Sequence, residues 1–213
     1  MFYDFNVHQD SKSVTELAFE AKRCGYCGIA VVNSAITKED KLPVDFSVFR
    51  SIEISGKPSK LREEIKKYKG TEAILIVPGG DEELNRAAVE TEGLDILLQP
   101  AQFNNVLAKA ASDNSVAIGF NVGALIHLRG EARVRELKNM RENLKHARKY
   151  GLSMILTGTA RSTYDFRSPR EMAAIAGLFG MSKEEAVDAM SAAPLEILRR
   201  KNPDYIQEGI EIL

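Results

Sequence analysis

Short apolar runs rich in β-branched residues return along this chain at nearly even spacing, and most are separated by an amphipathic helical pattern. The runs are FYDFNV, GIAVV, SIEIS, EAILIV, LDILL, SVAIGF and LSMILT. Most are apolar on both faces, as strands covered on two sides must be. Between them lie TELAFEAKR, SKLREEIKKYK, DEELNRAAVETE, FNNVLAKAAS and EARVRELKNMRENLKHARKYG, and after the last come SPREMAAIAGLFG, SKEEAVDAMSA and PLEILRRKN. Gly25, Gly70, Gly93 and Gly151 fall where these helices should stop, since a left-handed C-terminal residue costs glycine least. Asp81, Ser168 and Ser182 sit at helix starts, with Pro169 at a first helical position. Strand–helix alternation implies right-handed crossovers and a parallel sheet. Such a sheet can stay open and doubly wound, but units this regular favour closure. The expected fold is therefore α/β, a TIM-like (β/α) barrel of about seven parallel strands. Residues 1–213 are expected to form one domain, with GIEIL adding a last short strand.

Composition narrows the function. Apolar residues make up 44% and charged residues 28% of the chain, as in soluble globular proteins. No apolar run reaches the roughly 18 residues a membrane span needs. The start lacks a basic region followed by an apolar one, and there are two cysteines. The expectation is a cytoplasmic protein without a membrane partner. The net charge of −1 hides an asymmetry: residues 1–127 hold 14 Lys+Arg against 18 Asp+Glu, and residues 128–201 hold 15 against 9. A basic third of that kind suits a polyanion, or is a solvated helix surface.

In a parallel barrel chemistry gathers where the strands end. The ends here carry Asn6 and His8, Asn33, Glu53, Gln99, Asn121, and Thr159 with Arg161. On a regular strand Asp4, Asn6 and His8 point the same way. With histidine at the middle position, Asp-x-His-x-His would be the first motif of a metal-dependent phosphoesterase barrel. Asn6 occupies that position, and its amide is a poor ligand. The chain has three histidines in all, too few for a multinuclear site, so no metal or other cofactor is expected to bind.

Other motifs give little. Cys24 and Cys27 form CGYC after a helix, at the negative end of its dipole, where a reactive thiolate is not stabilised. No second such pair completes a zinc site, so both read as packing residues. PGGD at 78–81 lacks the Walker spacing and lysine, and its acids occupy the helix end a phosphate would need; it reads as a tight turn with a cap. Glu53 lacks clustered partners, and His127 and His146 lack recognisable companions.

The basic features are stronger. Within residues 131–150, Leu137, Met140, Leu144 and Ala147 form a buried stripe, while Arg135, Lys138 and Lys145, with Lys149, fall on another face. RSTYDFRSPR then places Arg161, Arg167 and Arg170 in the loop after strand seven, with Tyr164 and Phe166 among them. Arginines and aromatics so arranged suit phosphate and base contacts. The alternative is a loop pinned by pairs such as Arg167 with Asp165.

Taken in order, LNRAAVETEGLDILLQP, FNNVLAKAA, VAIGFNV, TGTARSTYDFRSPREM and AMSAAPLEILRR resemble successive blocks of the thirty-kilodalton subunit family of ribonuclease P, called protein component 3 in archaea. FYDFNVH and GYCGIAVVN fit as well, so the resemblance covers nearly the whole chain. It implies a barrel related to the polymerase-and-histidinol-phosphatase type, with the metal site lost: Asn6 replaces a histidine, TGTAR stands where an Asp-x-His belongs, and His8 and Glu53 are remnants. It implies a ribonucleoprotein that removes the 5′ leader of precursor tRNA, with magnesium used by its catalytic RNA. The implied partners are that RNA, a smaller protein called component 2, other ribonuclease P proteins and, indirectly, precursor tRNA. The isolated chain is expected not to be catalytic. The RNA-contact candidates are Arg86, Lys109, Arg161, Arg167 and Arg170, beside Arg135, Lys138 and Lys145. For Arg86 and Lys109, packing of the aliphatic stems is the alternative.

Overall fold

The computed structural model describes residues 1–10, 12–34 and 40–202, with the backbone of Tyr205–Gln207 and Ile210–Glu211 beyond them. Strands β1 (Tyr3–His8), β2 (Gly28–Val32), β3 (Ser47–Glu53), β4 (Ile74–Pro78), β5 (Ile96–Leu98), β6 (Ala117–Asn121) and β7 (Met154–Thr157) pair in that order. Every pairing is parallel. β7 returns to the side of β1, which nearly closes the barrel. Asp4 bridges the seam: its Oδ1 accepts from Thr157 Oγ1 at 2.5 Å and its Oδ2 from the Gly158 N–H at 3.2 Å. The His8 N–H donates to Ala160 O at 2.8 Å just beyond.

Each predicted strand and helix is present. Around the barrel run α1 (Val14–Arg23), α2 (Pro58–Tyr68), α3 (Glu82–Val89), α4 (Asn105–Asp113), α5 (Val122–His127) and α6 (Gly130–Tyr150), then α7 (Pro169–Ala176), α8 (Lys183–Asp188) and α9 (Ala192–Lys201). The expected caps form. Asp81 accepts from the Leu84 N–H, and Ser168 and Ser182 each make a reciprocal capping box with the glutamate three residues on. Gly151 ends α6 in the left-handed conformation with φ 63°. The additional helix is α5, whose apolar hexamer VGALIH is too short to display a helical period. The tail adds the expected short strand, though outside the barrel. Ile210–Glu211 pairs antiparallel with Tyr205–Gln207 in a separate two-stranded sheet, and the rest of GIEIL lies outside the described residues.

Tyr3, Phe5, Ala30, Ile74, Ile76, Ile96, Leu98, Ala117 and Ile155 fill the barrel, and Ile197 of α9 joins them. α9 therefore plugs the mouth where the strands begin. It is latched by Lys201 Nζ to Asp95 Oδ2 at 2.6 Å and by Arg200 Nη1 to Ser115 O at 3.1 Å. The strands end at the opposite mouth. Two glycines shape the loops there: a Cβ on Gly79 would lie 2.4 Å from Pro100 Cα, and one on Gly123 would lie 2.0 Å from Gly158 O. Among the described residues no helix is long and apolar enough to cross a membrane.

Candidate nucleic-acid interface and the barrel rim

The rim differs from the expectation at its first residue. Register along β1 and β2 runs Asp4 to Ile29, Phe5 to Ala30, then Val7 to Val31, so Asn6 is an extra residue in a bulge. Asn6 has φ 106°. The bulge breaks the period of two: Asp4 turns to the seam with β7, while Asn6 and His8 face Glu53. The three side chains do not point the same way, which corrects the reading from alternation.

Asn6 Nδ2 donates to Glu53 Oε2 at 3.2 Å, so Asn6 Oδ1 is left to accept from His8 Nε2 at 2.7 Å. That assigns the His8 proton to Nε2, with Glu53 Oε2 3.6 Å away. Burial lowers the His8 pKa below its ordinary value and nearby Arg161 adds to this, against the opposing charges of Glu53 and Asp10. A neutral imidazole with Nε2 committed to an amide is a weak start for a metal centre. Among the described residues no group of three or more His, Cys, Asp or Glu is placed to hold an ion.

The other rim side chains serve their own backbone. Asn33 Oδ1 accepts from the Glu53 N–H at 3.3 Å, Gln99 Oε1 from the Asn121 N–H at 3.1 Å, and Asn121 Oδ1 from the Ala124 N–H at 3.1 Å. Asn33, Gln99 and Thr159 hold positive φ values of 52°, 49° and 48°. Strain of this kind concentrates at functional sites, and here a ring of amides holds it in place. Gln99 Nε2 and Thr159 Oγ1 are buried without a hydrogen-bond partner. In the PGGD loop, Asn85 Oδ1 accepts from the Gly80 N–H at 2.9 Å, so an N–H that a phosphate would use is already taken. Cys24 and Cys27 are free thiols, and burial raises the Cys24 pKa, which makes it less reactive. His146 lies edge-on to Phe103, with ring centroids 6.0 Å apart.

The cations fall into two groups. Arg86 on α3, Lys109 on α4 and the α6 residues lie on helices that pack side by side. The Lys109 side chain is exposed, while Arg86 is half-buried, so stem packing stays open for Arg86 alone. Arg86 is paired with Glu82 at 2.7 Å and Glu90 at 3.7 Å, and Lys109 is paired with Asp113 one turn on. On α6, three arginines serve the fold. Arg133 donates to Leu128 O at 2.7 Å, Arg141 to Leu178 O at 2.9 Å, and Arg148 to Gly180 O and Glu185 at 2.7 Å. Arg135, Lys138 and Lys145 are exposed instead. Lys145 pairs with Glu142 at 2.8 Å, and the other two make no hydrogen bond or ion pair among the described residues.

The second group is the loop after β7. Arg161 reaches Asp10 at 3.1 Å, and Asp165 accepts from the Arg161 and Ser162 N–H groups at 3.1 and 2.9 Å. Arg167 donates to Tyr164 O at 2.8 Å and Phe166 O at 2.7 Å. The loop is pinned as the alternative required, though Arg167 uses carbonyls rather than Asp165. Phe166 is buried against α1 and is not available to a base, whereas Tyr164 is 86% exposed. Arg170 is exposed and unpaired among the described residues. Sequence reasoning missed Arg129, also exposed and unpaired there. It lies near this loop because His127 Nε2 sits 3.6 Å from Asp165 Oδ1. A signal was present in the basic Arg129-Gly130 step before a helix.

The family described as RNase P subunit p30 matches residues 1–203. Ribonuclease P protein component 3 of Methanosarcina mazei is 42% identical over 100% of this chain and 95% of its own length. The protein of the same name from Methanococcoides burtonii is 43% identical over 99% and 93%. The chain belongs to the RNase P subunit p30 family.

The fold of this p30 family member agrees with solved structures. A chain in the cryo-EM structure of archaeal ribonuclease P with mature tRNA has a TM-score of 0.80 at 24% identity, over 99% of this chain and 97% of that one. A prolidase complexed with N-methylphosphonate-L-proline has a TM-score of 0.62 at 12% identity, over 99% and 77%. That second likeness is one of barrel architecture.

Proposed function

We propose that this chain is the p30-type protein subunit of ribonuclease P, the endoribonuclease that removes the 5′ leader of precursor tRNA. It acts as an RNA-binding scaffold within the holoenzyme and is not itself the catalyst. Family membership over residues 1–203 is the observation that carries this reading, and the commitment of Asn6, His8 and Asn33 to internal hydrogen bonds supports it. Its partners are the ribonuclease P RNA, protein component 2 and other ribonuclease P proteins, with precursor tRNA reached through them. Magnesium belongs to the RNA, and this chain binds no cofactor. It works in the cytoplasm.

The RNA is held by the free cations Arg135, Lys138 and Arg170, assisted by Lys145, Arg161 and Arg167. Arg86 and Lys109 extend the footprint by exchanging helix-surface carboxylates for phosphate, a low-cost exchange because exposed pairs contribute only about 0–1 kcal/mol. The test is reconstitution. Precursor-tRNA processing by the RNA and the other proteins should rise when this chain is added, while the isolated chain should hydrolyse neither RNA nor a generic phosphoester. Hydrolysis by the isolated chain that is restored by manganese or zinc and abolished by His8→Ala would instead establish an independent metal-dependent phosphoesterase.

A further inference from the structure

A groove of about 590 Å³ opens where α7 and α8 pack beside the start of the chain. Phe2, Pro169, Ala173, Ala174 and Val187 give it an apolar lining. The two remaining lining residues are the exposed cations Arg170 and Lys183. Neither makes a hydrogen bond or ion pair among the described residues. The carboxylates in the same helical turns are engaged elsewhere. Glu171 Oε2 accepts from the Ser168 N–H and hydroxyl at 2.8 Å, Glu184 Oε2 accepts from Ser182 Oγ at 2.9 Å, and Glu185 grips Arg148 at 2.7 Å. The groove thus joins apolar surface to two exposed cations that no carboxylate bonds directly. A nucleic acid alone would satisfy the charge and leave the apolar lining wet.

We propose that this groove is the docking site for a segment of a protein partner that carries a bulky apolar side chain flanked by Asp or Glu. The apolar side chain fills the space left by the two alanines, and the carboxylates meet Arg170 and Lys183. Matching charges of that kind set partner choice and register. Arg170 then faces protein as well as RNA. The proposal rests on the ribonuclease P reading for the source of the partner, which is another protein subunit of the same particle.

The test uses the full chain and each of the other ribonuclease P proteins of the same organism, with affinity measured by calorimetry and processing by reconstitution. One of those proteins should bind the wild type. Ala174→Glu, at an exposed position, should weaken that complex at least about tenfold with the melting point unchanged. Ala174→Lys, of similar length and opposite charge, should weaken it less. Lys183→Glu should weaken it and reduce its salt dependence, while Lys60→Glu on α2 should leave it unchanged. A complex that forms and restores processing, yet ignores Ala174→Glu and Lys183→Glu, overturns the groove proposal and leaves the ribonuclease P reading standing. No complex and no rise in processing overturns both. Loss of RNA affinity in Ala174→Glu with protein binding intact, or loss only of a self-association, would assign the groove to RNA or to a second copy and overturn the proposal as well.

Discussion

The acid at the barrel seam gives the sharpest quantitative test. Asp4 is 2% exposed, and burial pushes its pKa up from 3.8 to about 6, against the lowering effect of its bonds from Thr157 and Gly158. A raised carboxyl pKa means that the folded state holds its proton more tightly than the unfolded chain does. Below the unfolded pKa both states are protonated and the seam carries no charge. As pH rises through the folded pKa that stability is lost, and above about 6 the loss is complete. At about 1.4 kcal/mol per pH unit, the shift corresponds to roughly 3 kcal/mol. Asp4→Asn keeps the shape and cannot ionise. Its amide reproduces the neutral acid imperfectly, because Thr157 must reorient its hydroxyl to accept rather than donate, at a cost of about 1 kcal/mol. Asp4→Asn should therefore be about 1 kcal/mol less stable than wild type near pH 3 and roughly 2 kcal/mol more stable at pH 7. Urea unfolding of both proteins between pH 3 and 7.5 gives the difference curve, in which the other titrating groups cancel. A flat difference curve, or a variant less stable at every pH, would refute the assignment of Asp4 as the ionising group at the seam.

Three further outcomes are expected. Replacing Arg161, Arg167 and Arg170 together by Ala should lower melting modestly, because Arg161 and Arg167 pin the loop. It should also weaken RNA binding and flatten its salt dependence by about 0.7–0.9 for each phosphate no longer neutralised, read from affinities across a salt series. An unaltered slope would move the footprint to Arg135, Lys138 and Lys145. Asp95→Ala strands the Lys201 ammonium, whose side chain is 12% exposed, and the Leu75 N–H that Asp95 Oδ2 accepts at 2.7 Å; thermal or urea unfolding should register a loss of about 3–5 kcal/mol. Gly79→Ala drives a methyl to 2.4 Å from Pro100 Cα, where backbone must shift, and denaturation should show a loss of about 1–3 kcal/mol.

Local signals gave the order of the elements, because each is fixed by neighbours close in sequence. A serine or aspartate cap, a glycine stop and a period of two or of three to four report on a few residues at a time, and the capping boxes at Ser168 and Ser182 formed as expected. The rim was legible in its membership and not in its geometry. One bulged residue at Asn6 reverses the side-chain parity of β1, and a lone asparagine, tolerant of positive φ, is a weak signal for it. The cations of the basic third were countable, yet which are free depends on distant partners. Arg141 and Arg148 are withdrawn by carbonyls at Leu178 and Gly180, and Phe166 is withdrawn by α1.

These corrections point the same way. At the rim Asn6, His8, Glu53 and Asn33 bond to one another or to their own backbone, and Gln99 and Asn121 do the same on the far side. A side chain already holding the strained ends of its own strands cannot also be released to bind and turn over a substrate without undoing the turn it supports. The groups free to act are those the packing does not use: Arg135 and Lys138 on one face of α6, Arg129 and Arg170 around the loop after β7, and Lys183 beside an apolar groove. Under the proposed reading the working surface lies on the barrel's flank, where these cations are, and a partner meets charge and shape there rather than a reactive centre.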